Sequence, residues 1–229
     1  MNILIVSATV YEISDLIKLL DFKQKTSNFY EKKSADKNID LIISGIGLTF
    51  TAYSVSKAVF SKKYDLVINS GIAGSFTQNL QLGEVVQVVS DQFADLGIED
   101  KEKFIDIFEA GFVQPDKFPF NNGKLKPPVL KISTSDKLKK VESISVNTVS
   151  GNKKEIEKLQ KKYAPDTETM EGAAVFYVCM QENIPVIQIR GISNYVENRD
   201  KSKWNIPLAV KNLNGFLIKM LSQRFKPLN

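Results

Sequence analysis

The chain has 229 residues, 43% of them hydrophobic and 25% charged, which is the composition of an ordinary globular domain and excludes a disordered segment. It contains no histidine and one cysteine, Cys179, so Ser-His-Asp and Cys-His catalysis, nearly all zinc sites and an internal disulfide are excluded. The net charge of +5 comes from lysines scattered along the chain rather than from a basic stripe, and no apolar run approaches a membrane span, so neither nucleic acid nor membrane is an expected partner.

Residues 2–8 form an apolar run of strand length, followed by Glu12-Ile13-Ser14-Asp15-Leu16-Ile17, where apolar positions take helical spacing. The run lacks a basic leader and a cleavage site. It is expected as a first strand, and with a single cysteine the protein is expected in the cytoplasm. Residues 40–44 predict a second strand, ending at Gly45-Ile46-Gly47, and Ala52, Val55 and Val59 mark one face of a helix over about 48–61. Residues 64–69 predict a third strand, ending in Ser70-Gly71-Ile72-Ala73-Gly74-Ser75, and residues 83–90 a fourth. Between 96 and 130, phenylalanines lie among Gly, Pro, Asn and Lys, a mixture that predicts a helical turn and a long lid-like loop. Residues 143–150 return to strand, and residues 153–163 form a thin amphipathic helix carrying Ile156, Leu159 and Tyr163.

The run from Glu168 to Ala174 reads as a polar turn opening a helix whose residues 173–180 are apolar on every face, with Cys179 as a small core side chain. The strand over 185–190 follows, with Arg190 closing it as a structural residue, and then Gly191-Ile192-Ser193-Asn194-Tyr195-Val196-Glu197. A last helix spans about 206–222. Strands alternating with helices predict an α/β fold: a central mixed, largely parallel twisted sheet flanked by helices, in one domain over residues 1–229. Polar and glycine residues collect at the strand ends, where such sheets bind ligands, and this convergence points to one small-molecule pocket. Gly45-Ile46-Gly47 is not a dinucleotide fingerprint, because Phe50 stands where its third glycine belongs and no acidic residue ends the next strand.

Met170-Glu171 before a small-residue helix, then a strand and Ile192-Ser193-Asn194, resembles the purine nucleoside hydrolase and phosphorylase superfamily across nearly the whole chain. Within it, residues 172–206 are most similar to the futalosine hydrolases of menaquinone biosynthesis. The resemblance implies a nucleoside phosphorylase-like fold, hydrolysis of an N-glycosidic bond, release of hypoxanthine, a homo-oligomer, and no metal or other cofactor. It implies Glu12 and Asn194 as catalytic residues and Glu171, Met170, Ile72, Ala73, Gly74, Phe93 and Ser193 as substrate-binding residues. Asp15 is the rival to Glu12, and both Glu12 and Glu171 also read as charges that help a helix start. Asn194 departs from the aspartate of adenine-specific members and suits a 6-oxopurine; it also reads as a turn-former. The base-stacking aromatic is left to Phe93, Phe104 or a partner-chain residue. The alternatives are a methylthioadenosine/S-adenosylhomocysteine nucleosidase and a non-catalytic nucleoside-binding protein of the same fold.

Overall fold

The structure is a computed structural model that describes residues 1–130, 132 and 134–223. Its elements run β1 (Asn2–Ser7), α1 (Val10–Leu19), β2 (Lys23–Thr26), β3 (Phe29–Lys33), β4 (Asn38–Ile43), α2 (Leu48–Ser61), β5 (Leu66–Ser75) and β6 (Val85–Ser90). Two small hairpins follow, β7 (Gly97–Asp100) with β8 (Lys103–Asp106) and β9 (Phe120–Asn121) with β10 (Lys124–Leu125). The chain ends with β11 (Lys139–Ser145), α3 (Lys153–Tyr163), β12 (Thr167–Thr169), α4 (Gly172–Gln181), β13 (Val186–Tyr195) and α5 (Ile206–Leu221).

Nine strands form one sheet in the order β12-β11-β6-β13-β5-β1-β4-β3-β2. Alternation along a strand decides which layer each residue serves: Leu4 and Val6 of β1 pack into the core beneath α2 and α4, while Ile3 and Ile5 pack into the core beneath α1 and α5. Because both faces are covered, the central strands read as unbroken apolar runs. Cys179 sits fully buried in the α4 layer, the small core side chain its neighbours predicted. Among the described residues no helix is long and apolar enough to cross a membrane.

Several elements differ from expectation. The sheet is mixed, as expected, but its parallel pairings outnumber the antiparallel ones only five to four, because the β2–β3 hairpin adds two antiparallel strands at one edge and β13 meets β6 antiparallel. Residues 70–75 and 191–195 are not turns after strands but the second halves of β5 and β13, paired with each other through Ala73 and Ile192. Arg190 therefore lies inside its strand, not at its end. The 96–130 segment holds the two hairpins, and Phe108, Phe120, Phe93 and Tyr177 tie it to the body through edge-on and tilted ring contacts. Lys162 adds ion pairs to Asp106 at 3.0 Å and to Glu109.

Candidate active site

The C-terminal halves of β5 and β13, the start of α1 and the start of α4 enclose a cavity of about 420 Å³. Ala8, Thr9, Glu12, Ile72, Ala73, Gly74, Met170, Glu171, Ser193 and Asn194 all line it, with Glu168, Ser150, Arg199 and Trp204 nearer the 150 and 200 loops. Asp15 does not. Phe93 is also absent from the lining, because its ring packs among Phe120 and Tyr177 on the α4 side of the sheet. The 96–130 segment supplies no lining residue from this chain.

Glu12 is the third residue of α1 and closes a capping box with Thr9: its Oε2 accepts from the Thr9 N–H at 3.0 Å and from the Thr9 hydroxyl at 2.9 Å. Its Oε1 accepts from the Ile72 N–H at 3.1 Å, which turns that oxygen toward β5 and the cavity. The helix-start reading of Glu12 is thus met by one oxygen, and the other oxygen faces the cavity. Glu171 occupies the N-cap position of α4 but caps nothing with its side chain. Its Oε1 instead accepts at 3.0 Å from the N–H of Gly47, whose φ of 100° is a glycine conformation. Burial pushes the Glu171 carboxyl above the usual range, while Arg190 and the Gly47 N–H pull it back.

Arg190, read as structural in the sequence, is 1% exposed and stands among three carboxylates, Glu171, Glu12 and Asp91. Burial lowers its pKa and the carboxylates oppose that; an arginine in such company stays a cation. Its Nη2 donates to Gln188 Oε1 at 3.2 Å, while its Nε has no hydrogen-bond partner among the described residues. Gly71 makes room for it: a Cβ there would lie 2.4 Å from Arg190 Nη1 and 2.9 Å from Glu12 Oε1. The signal that marks Arg190 is its spacing. Gln188 and Arg190 alternate in the otherwise apolar first half of β13, which puts both polar side chains on one face.

A β-bulge interrupts the pairing of β13 with β5 between Ile192 and Asn194 and aims Asn194 at the cavity. Its Oδ1 accepts from the Ser193 hydroxyl at 2.7 Å and its Nδ2 donates to the Tyr195 carbonyl at 3.1 Å. One N–H and one lone pair remain for a ligand. Glu168, a buried carboxylate the sequence reading left in a turn, is the middle of β12 and accepts from the Ser150 N–H at 3.0 Å and from its hydroxyl. Trp204, the only tryptophan, lines the cavity with Arg199 5.5 Å from its ring centroid, and supplies an aromatic face that the sequence reading had not assigned.

Residues 2–222 match the model of the Phosphorylase superfamily. The chain belongs to that superfamily. Among curated members it is 27% identical over 180 residues to a futalosine hydrolase of Streptomyces coelicolor, a match covering 76% of this chain and 74% of the relative. It is 28% identical over 235 residues to a 5′-methylthioadenosine/S-adenosylhomocysteine nucleosidase of Buchnera aphidicola, covering 97% of this chain and 90% of the relative. Among solved superfamily structures, the native futalosine hydrolase of Helicobacter pylori superposes with a TM-score of 0.81 at 19% identity, over 96% of this chain and 97% of that one. The mixed α/β sheet expected from the alternating elements is observed, in the nucleoside phosphorylase-like fold that the resemblance implied.

Proposed function

We propose that this superfamily enzyme is a purine nucleosidase that hydrolyses the N-glycosidic bond of futalosine and releases hypoxanthine. The observation that carries the reading is that one cavity gathers Glu12, Glu171 and Asn194, from three separate elements, with Arg190 behind them. In the reaction, the C1′–N9 bond stretches and its electron pair passes to the base. Asn194 offers its free N–H to the charge growing there. Glu171 holds the ribose hydroxyls, a water attacks C1′, and Glu12 takes the water's proton. Among the described residues Arg199 is the one basic side chain lining the cavity, which supports water over phosphate as the acceptor.

Incubating the protein with futalosine, inosine, methylthioadenosine and adenosylhomocysteine in phosphate-free buffer tests this. Hypoxanthine should appear from futalosine; free adenine released faster from methylthioadenosine would replace this substrate with the adenine one. That second reading draws on the length of the match to the Buchnera nucleosidase. Self-association belongs to the same proposal. Tyr11 and Ile46 line the cavity yet are 57% and 53% exposed, and Phe50, Tyr53 and Phe60 extend an exposed apolar face along α2, an arrangement that a second copy would cover. The absence of nucleic acid and membrane partners and a cytoplasmic location are part of the proposal as well.

A further inference from the structure

We propose that Asp91 is a positioning residue of this site, acting through the side-chain amide of Gln188 to set the orientation of the Arg190 guanidinium. The inference rests on the nucleosidase reading above. Asp91 follows β6 directly, is 0% exposed and contributes nothing to the cavity wall. A fully buried carboxylate with no contact to solvent or ligand is costly unless its hydrogen bonds hold something in place.

Its bonds run in two directions. Oδ2 accepts from Gln188 Nε2 at 2.9 Å, and Gln188 Oε1 accepts in turn from Asn69 Nδ2 at 2.8 Å and from Arg190 Nη2 at 3.2 Å. The amide is thereby read at both ends, and only one of its two orientations satisfies every partner. Oδ1 accepts from the Gln92 N–H at 2.8 Å and the Ser145 hydroxyl at 3.0 Å, and Ser145 Oγ accepts from the Ala173 N–H at 2.9 Å, in the first turn of α4 that carries Glu171 at its N-cap. A Cβ on Gly172 would lie 2.2 Å from both Asp91 Oδ2 and Gln188 Oε1, so the start of α4 sits directly on the relay. Arg190 is the charged group that faces Asp91, and Glu171 and Glu12 act on the same guanidinium.

The relay works because a carboxylate only accepts. In Asp91→Asn the remaining oxygen serves Gln92 and Ser145, and the new NH₂ meets the NH₂ of Gln188. Gln188 must turn over, and its donors then meet Asn69 Nδ2 and Arg190 Nη2. Adding Gln188→Glu restores acceptors to all three neighbours without changing shape, and returns the lost negative charge one residue along the relay.

The test compares wild type, Asp91→Asn, Gln188→Glu and the double variant by two readouts. One is kcat and KM for the nucleoside that wild type cleaves. The other is the ¹H–¹⁵N side-chain signal of Arg190 in ligand-free protein, one of only three arginines in the chain. Asp91→Asn should lower kcat by roughly tenfold to a hundredfold, the scale of a displaced positioning group, and change KM by less than about threefold. It should also move the Arg190 signal, and the double variant should recover most of both. An Asp91→Asn enzyme within about twofold of wild type with an unmoved Arg190 signal overturns the proposal, as does a double variant no better than the poorer single one. Should Asp91→Asn fail to fold, the double variant decides: folded and active supports the relay, unfolded or inactive overturns it. If wild type cleaves no purine nucleoside, the nucleosidase reading falls, and the Arg190 signal alone judges the relay by the same criterion.

Discussion

Glu12 and Glu171 carry different loads despite being two carboxylates at two helix starts. Glu12 spends one oxygen on its own helix and one on the Ile72 N–H beside the cavity, whereas the Glu171 side chain spends nothing on its helix and accepts from the Gly47 N–H. Glutamine keeps one acceptor in each place and removes the charge, and at position 12 its NH₂ must also face either the Thr9 or the Ile72 N–H, so Glu12→Gln and Glu171→Gln should each reduce turnover by roughly a hundredfold, the scale of a lost acid–base or transition-state contact. Steady-state rates read this, and melting curves near wild type separate it from misfolding; near-normal turnover in Glu12→Gln would remove it as the base. On the proposed futalosine reading, replacing Asn194 by aspartate sets a carboxylate against O6 of hypoxanthine and should shift the futalosine-to-methylthioadenosine rate ratio toward adenine by about tenfold, within the range of a mismatched buried hydrogen bond. An unchanged ratio would mean the residue does not read the base. The resemblance singled out these side chains, and the strong patterns of the elements around them let each be placed in the chain. Arg190 and Asp91 were not legible, since a charge becomes informative only when its burial is known, and a strand's one-dimensional pattern hides which polar residues meet across the sheet.

At the scale of elements, helices were the most legible part. The helix predicted over 48–61 coincides with α2, and the one over 153–163 coincides with α3. Strand boundaries were less so: the polar second halves of β5 and β13 read as turns, yet main-chain pairing between two central strands overrides side-chain polarity, and the bulge at Ser193 supplies the bend that a turn was expected to give. The edge strands β2 and β3 have mostly exposed or half-exposed residues and therefore no apolar run to announce them. The placement of Glu12 depends on α1 being held against α5, and Asn214 does this: its Oδ1 accepts from the Leu16 N–H at 2.8 Å and its Nδ2 donates to the Glu12 carbonyl at 2.8 Å. Asn214→Leu keeps the volume and removes both hydrogen bonds between α1 and α5, at a cost of about 2–3 kcal/mol. For a chain of this length that should lower the melting temperature by about 4–12 °C, and an unaltered melting curve would show that α1 is held by apolar packing alone.

For the molecule as a whole, the exposed face of α2 and the open rim at Tyr11 and Ile46 favour a self-associated form. Light scattering should give at least a dimer, and a fully active monomer at assay concentration would refute it. The buried carboxylates also set how stability varies with pH. Burial raises the carboxyl of Asp91 to about 6 from 3.8, and pushes Glu168 and Glu171 upward too. An acid whose folded pKa lies above its unfolded one opposes folding once both forms are ionised, and this opposition is relieved as pH falls through the folded value. Stability should therefore rise between pH 7.5 and 5, by about 1 kcal/mol from Asp91 alone, or about 2–4 °C in melting temperature. Asp106, held below the usual range against its burial by the Glu109 N–H and Lys162, and Glu109, held there by Lys162, keep their charge over this window and do not cancel the effect. Asp91→Asn removes one titrating group, so its melting temperature should be lower at both pH values but should climb less on acidification than wild type. Equal climbs in the two proteins would place the titration elsewhere and leave Asp91 ionised throughout.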